Sequence, residues 1–457
     1  MVPRARPLRH ANILTPTGYT EIIATHSNPR IFLSAGEASG DAYGAAIITA
    51  LRQQLPNAQF SGLGGTQMES AGQQRVVRAE DVAHMGITEV LRHAPFIYRQ
   101  YRKLVSAIKR ERPDVAVLID FPDVNFRLAK HLHAAGVPVV WFVSPQLWAW
   151  KRSRLRWVQQ RVSRMLVIFP FEEPFYRNRG VDAEFVGHPL AAAAEPAALS
   201  REAYAAQHGL DPERTWIALL PGSRWKEIRA NLPTLHELAI SDLFASSAAY
   251  TTFDGSTTTA PRDPAAYTRY EFLLPVASTI APAALRAFLD ELDAQHLRYF
   301  GPTETTPNTR PRITLVSDAR QALHHARASV VASGTATVLA AIVGNPFVVV
   351  YRVSALTFAL AKKLVSYPPE VPQAFDADGN LPVGMVNLIA GRRIVPELLQ
   401  SRFTATNVAD GLNPLLADGP PRDAQIAALA EVRERLRSDG HPIAHVVETV
   451  LSLLRPA

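Results

Sequence analysis

The feature that most constrains this chain is a recurring three-part unit. A short run of apolar residues breaks at glycine, proline or small polar residues, and a stretch with helical spacing follows. Arg30–Ala35 runs into glycines ahead of Asp41–Gln54, and Val115–Asp120 and Val137–Val143 flank a helical stretch over Val124–Ala135. Arg164–Phe169 and Ala183–Gly187 extend this first series. A second series comprises Trp216–Leu220, Tyr270–Val276, Ile313–Val316, Ser329–Ala332 and Pro346–Val350. Runs that are apolar throughout, rather than at alternate positions, predict strands buried on both faces, and parallel strands need the intervening helices as crossovers. The expected fold is α/β: two doubly wound, Rossmann-like domains facing a central cleft, with ligands at the carboxyl ends of the strands.

The organisation that follows is a disordered extension over 1–29, an N-terminal domain over 30–190, a C-terminal domain over 191–410, and C-terminal helices over 411–457. Ser/Thr/Ala/Pro-rich residues near 241–269 and the Pro-rich stretch 367–382 read as insertions. The carboxylates of Asp376 and Asp378 and the amide of Asn380 could suggest a calcium loop, but its twelfth position is Asn387 instead of glutamate, so a polar turn is expected. The longest uncharged run, Ser329–Tyr351, is punctuated by Gly334, Gly344 and Pro346 and predicts strand, helix and strand in place of a membrane span. The arginines of the first 29 residues precede no apolar segment of the kind a secretory signal needs.

Composition narrows the chemistry. There is no cysteine among the 457 residues, which excludes disulfides, thiolate metal sites and cysteine nucleophiles. The net charge of +7 suits an anionic surface or substrate, and is too mild for a nucleic-acid-binding protein. No G-x-S-x-G elbow or H-E-x-x-H pair occurs, and His131, His133, His324 and His325 have no acidic partner at ligand spacing, so no metal is expected.

Four strand-to-helix turns carry the remaining candidates. The first, Ser34–Gly44, has G-x3-G-x3-G spacing. Glu37 and Asp41 there would repel a pyrophosphate, whereas carboxylates and backbone amides, with Ser39, suit sugar hydroxyls; a tight turn with a helix cap is the alternative. The second, Asp120-Phe-Pro-Asp123-Val-Asn125, offers a general base for a hydroxyl nucleophile, with helix capping as the alternative for Asp123. Gly222-Ser223-Arg224 and Ser333-Gly334-Thr335 combine glycine amides, hydroxyls and a guanidinium at helix starts, which is an anion-binding device. His188 closes the first half beside the expected cleft. These positions place a phosphorylated donor on the C-terminal half and an acceptor on the N-terminal half.

The blocks AGEASGD (35–41), GLGG…M…AG (62–72), MGITEVL (85–91), RPDVAVLIDFPDVN (112–125), VSPQLWAW (143–150) and FPFEEPFY (169–176) resemble the lipid-A-disaccharide synthase family. So do FVGHPL (185–190), LLPGSR…EI (219–228), ASGTAT (332–337), NLIAGR (387–392) and VPELLQ (395–400), all in family order. The resemblance implies a GT-B fold and an inverting glycosyltransferase that needs no metal or cofactor. It implies transfer of 2,3-diacylglucosamine from UDP-2,3-diacylglucosamine to lipid X (2,3-diacylglucosamine 1-phosphate), giving the β-1,6 lipid A disaccharide and UDP. On that pattern Asp120 is the base, Glu37 lies in the acceptor loop, and Arg224 and Asn387 lie in the nucleotide site. Val338-Leu339 stands where the family pattern has Leu-Glu. Acylated substrates imply a cytoplasmic protein, monomer or homodimer, held peripherally on an anionic inner-membrane surface. Met85, Ile87, Arg99, Arg102 and Lys103 of the amphipathic stretch 82–105 would form its membrane face. The rival expectations are a UDP-sugar 2-epimerase of the same architecture and a UDP-sugar-binding protein without turnover.

Overall fold

The computed structural model describes residues 28–83, 94–192, 197–240, 249–251, 257–259, 269–300, 313–376 and 379–454. Its first half is a seven-stranded, all-parallel sheet built from β1 (Arg30–Ala35), β2 (Gln59–Gly64), β3 (Gln74–Arg78), β4 (Val115–Ile119), β5 (Val139–Phe142), β6 (Arg164–Val167) and β7 (Ala183–Phe185). The strand order is β3-β2-β1-β4-β5-β6-β7. The order reverses between β1 and β4, which pair directly, Ile31 opposite Val115 and Ala35 opposite Ile119. The expected strands are all present. The sequence reading lacked β2 and β3, because Gly62 and Gly64 interrupt one and Arg75 and Arg78 interrupt the other.

The second half carries β8 (Thr215–Leu220), a two-stranded hairpin of β9 (Ala249–Thr251) and β10 (Thr257–Thr259), then β11 (Tyr270–Pro275), β12 (Ile313–Val316), β13 (Ala328–Ala332), β14 (Phe347–Tyr351) and β15 (Glu397–Leu399). Its six-stranded parallel sheet runs β12-β11-β8-β13-β14-β15, with the reversal between β8 and β13.

Helices used below are α1 (Ala38–Gln54), α2 (Ala94–Glu111), α3 (Pro122–Ala134), α4 (Trp225–Ile240), α5 (Thr335–Val343), α6 (Met385–Ala390), α7 (Pro420–Arg435) and α8 (Pro442–Leu454). α7 packs on α5 and α6 of the second half, whereas α8 returns to the first half and covers α1, β4 and β5. The crossing is tied down where the halves join. The His188 amide donates to the Leu436 carbonyl at 2.8 Å, and the Ser438 hydroxyl donates to the Val186 carbonyl at 2.7 Å.

The described part of the amphipathic stretch lies in α2, whose Leu104, Ala107 and Ile108 are buried and pack toward the first sheet. Arg99, Arg102 and Lys103 lie on its exposed face beside Tyr98, which is 59% exposed. Met85 and Ile87 lie outside the described residues.

Candidate active site across the cleft

The four candidate turns follow four particular strands. Glu37 follows β1 and Asp120 follows β4, the pair that flanks the reversal in the first sheet. Gly222–Arg224 follow β8 and Ser333–Thr335 follow β13, the corresponding pair in the second. At such a reversal the crossovers diverge to opposite faces and leave a crevice at the strand ends. The two crevices meet: an Arg224 guanidinium nitrogen lies 2.9 Å from Glu37 Oε1.

Asp120 and Phe121 both have left-handed backbones, with φ of 44° and 47°. Non-glycine residues pay roughly 1–2 kcal/mol each for that conformation, so neighbours must hold it. Asn125 is the clamp: its Nδ2 donates to the Asp120 carbonyl at 2.7 Å and its Oδ1 accepts from the Ser34 hydroxyl at 2.6 Å. Phe121 lies against Gly36, where an added Cβ would sit 2.3 Å from the ring. The Glu37 and Asp120 turns therefore interlock, and only glycine fits at residue 36.

The strained turn aims the Asp120 carboxylate into a low-dielectric position. Burial, and next the Glu37 charge, raise its pKa from 3.8 to about 6, against smaller lowering by the Phe121 amide and Arg224. A carboxylate poised near neutrality is suited to take a proton from a hydroxyl. Tyr43, in α1, faces the same point. Burial and the Asp120 charge push its hydroxyl up to about 12. Nothing in the sequence marks Tyr43, since a tyrosine at a helical position reads as core.

On the facing loop Gly222 has φ of 131°, a region that favours glycine. Glu227, in the first turn of α4, folds back so that Oε2 accepts from the Ser223 amide at 2.9 Å. Its other oxygen lies 3.7 Å from Arg224. The loop thus presents amides and a guanidinium to a carboxylate, which is the chemistry that also receives a diphosphate. The Thr279 hydroxyl holds the loop through the Ser223 carbonyl at 2.5 Å. Ser333 donates to the Val383 carbonyl at 3.2 Å, and Gly334 and the exposed Thr335 open α5.

Other candidates have structural roles that the residue types alone did not reveal. Asn387 is fully buried: its Oδ1 accepts from the Ile394 and Val395 amides, and its Nδ2 donates to the Val395 carbonyl and Glu397. It shapes the wall beside Ser333 and leaves no polar atom for a nucleotide. Asp41 is buried, and its carboxylate accepts from the amides of Gly65, Gln67 and Met68, capping the turn after β2. Asp123 points to another pocket and pairs with Arg154 at 2.9 Å. His188 is 2% exposed, and burial lowers its pKa to about 4, so it is a neutral joint residue. Ser39 is exposed in the first turn of α1. Leu339 is half-buried and packs on the apolar core.

The VSPQLWAW and FPFEEPFY blocks meet at a buried carboxylate. Glu172 accepts from the Ser144 hydroxyl at 2.7 Å and the Trp148 indole at 3.1 Å, and burial raises its pKa to about 7. Trp150 remains 46% exposed, with the Lys151 ammonium 4.0 Å from its ring centre. Among the described residues no group of three or more His, Asp or Glu could hold a metal ion, and no helix is long and apolar enough to cross a membrane.

Two parallel-sheet α/β domains, with a carboxylate on one reversal and anion loops on the other, have the GT-B fold. Solved structures share the arrangement. The glycotransferase of kitacinnamycin superposes with a TM-score of 0.56 at 13% identity, covering 93% of this chain and 99% of that one. The calicheamicin glycosyltransferase CalG4 does so with 0.52 at 14% identity, covering 93% and 98%. A family model described as lipid-A-disaccharide synthetase matches residues 31–249 and 289–443. The lipid-A-disaccharide synthase of Acidobacterium capsulatum is 49% identical over 94% of this chain and 97% of its own length. Those of Koribacter versatilis and Myxococcus xanthus are 45% and 37% identical over 90% and 94% of this chain, and over 94% and 98% of their own lengths. The chain belongs to the lipid-A-disaccharide synthase family, which sets aside the epimerase and non-catalytic readings.

Proposed function

We propose that the cleft transfers 2,3-diacylglucosamine from UDP-2,3-diacylglucosamine to the 6-hydroxyl of lipid X, with inversion and without a metal. The observation that carries this reading is the Glu37–Arg224 contact beside Asp120, which brings a basic carboxylate and a diphosphate-binding guanidinium to one point. Asp120 accepts the proton from the acceptor hydroxyl as its oxygen attacks the anomeric carbon. The bond from that carbon to the UDP oxygen breaks, and its electron pair leaves on the β-phosphate. Arg224 and the amides of Ser223, Gly334 and Thr335 stabilise that charge, the role a metal fills in other transferases. Attack from the face opposite UDP converts an α-linked donor to a β-1,6 product.

An exposed ion pair such as Glu37–Arg224 contributes only about 0.2–1 kcal/mol, so a diphosphate displaces Glu37 from Arg224 at little expense. The protein would work at the cytoplasmic face of the inner membrane, with the basic face of α2 toward anionic lipid. The test is the anomeric configuration of the product formed in EDTA, read by proton NMR coupling. A β product supports the reading; an α product, or none without Mg²⁺, removes it.

A further inference from the structure

Outside the cleft, α2, α3 and the helix Leu155–Arg161 enclose a pocket of about 380 Å³. Its wall carries four cations, Arg127, Lys130, Arg154 and Arg161, against one carboxylate, Asp123. That carboxylate is exposed and already paired with Arg154. Arg127 and Lys130 have no hydrogen bond or ion pair among the described residues. Arg161 donates to the Phe126 carbonyl at 3.2 Å and lies 5.3 Å from the Trp157 ring, and burial and Arg156 lower its pKa. His131 accepts or donates one bond with the Tyr101 hydroxyl at 2.8 Å. Burial, Lys109 and Lys130 hold it towards the neutral form. Cations crowded around a concave wall repel one another unless an anion sits among them.

We infer that this pocket binds the phosphate group of an amphiphile, the phosphate on Arg127, Lys130 and Arg154 and the adjoining apolar part on Trp157. Guanidinium groups match phosphate oxygens in pairs, and an indole face supplies a flat apolar platform. The pocket also lies on the helix that exposes Tyr98, Arg99, Arg102 and Lys103, so a phosphate carried at a bilayer surface reaches it. Two sources share this chemistry: the phosphate of the lipid acceptor and the headgroup of an anionic bilayer lipid. The first is close along the chain, since Asp123 on the pocket wall follows Asp120 by three residues, at most about 11 Å of extended chain. That arm rests on the acceptor assigned above; the second does not.

The experiment compares the full chain with Arg127→Gln/Lys130→Gln. One arm measures the KM for lipid X in neutral-detergent micelles. The other measures partition onto phosphatidylcholine vesicles with and without phosphatidylglycerol. Loss of two charge-assisted contacts should weaken the affected binding at least about tenfold. A raised acceptor KM at unchanged kcat and donor KM identifies the acceptor phosphate. Weaker binding only to phosphatidylglycerol vesicles identifies the headgroup. Arg127→Lys/Lys130→Arg should restore most of either effect. The proposal is overturned if both arms are unchanged, or if the charge-conserving pair loses as much as the glutamine pair. An error in the Asp120 assignment appears in kcat and leaves these readouts alone.

Discussion

Replacing Asp120 by asparagine keeps the outline of the side chain and removes its basicity, and the structure gives two magnitudes for the outcome. A general base contributes about 10²–10⁴-fold to rate, so kcat should fall by that order while UDP affinity holds. The parent kcat should decline tenfold per pH unit below about 6, where the carboxylate protonates, and the variant should lack that acidic limb. The second magnitude is a stability gain. The carboxyl titrates near 6 when folded against 3.8 in its ordinary state, so the folded protein holds the proton more tightly. The associated stability is fully present below pH 3.8 and is lost as the pH rises through about 6. A shift of about two units corresponds to about 3 kcal/mol. Asparagine never ionises, so the variant should gain little over the parent near pH 4 and about 3 kcal/mol at pH 8. Thermal unfolding at the two pH values reads this as a Tm difference, at roughly 2–4 °C per kcal/mol for a domain of this size. Near-parental kcat, or a stability difference that does not grow with pH, would refute the assignment of Asp120 as a buried base.

Three further outcomes follow from the same cleft and surface. Glu37→Gln removes the like charge beside Asp120, so the acidic limb of the kcat profile should move to lower pH; an unmoved limb would separate the two carboxylates. Arg224→Ala should raise the donor KM by about 10- to 150-fold, the equivalent of 1.5–3 kcal/mol for a charged hydrogen bond. It should also shift the acidic limb upward, because Arg224 lowers the Asp120 pKa, and unchanged donor kinetics would remove Arg224 from the diphosphate site. Arg99→Ser/Arg102→Ser/Lys103→Ser should weaken binding to anionic vesicles by about 1 kcal/mol per residue, up to about 150-fold, and equal partitioning would return α2 to a purely structural role.

The strands whose residues are apolar throughout were legible, because burial on both faces leaves no polar alternation to obscure them. The strands β2 and β3 were not, since glycines and edge arginines dilute the signal. Asp120 could be singled out because a carboxylate directly after a buried strand has few structural reasons to be there. Asn387, Asp41 and His188 show the limit of that reasoning. Each lies next to the strand ends, yet hydrogen bonds to backbone use up Asn387 and Asp41, and burial neutralises His188. Residue type and position cannot tell a polar group that faces a ligand from one that clamps a loop, because that depends on partners distant in sequence. Asp123 illustrates this on one turn of helix: it is three residues from Asp120 and belongs to a different pocket. Tyr43 was missed for the opposite reason, as its type and spacing look ordinary, and Glu227 stood in the LLPGSR…EI block with no role of its own.

The most direct test of a cleft that joins a UDP-linked donor to a lipid acceptor is UDP release from UDP-2,3-diacylglucosamine, with and without lipid X, in EDTA. The predicted result is release only when lipid X is present, one UDP for each disaccharide formed. Release at the same rate without lipid X, or a strict requirement for added Mg²⁺, would contradict it.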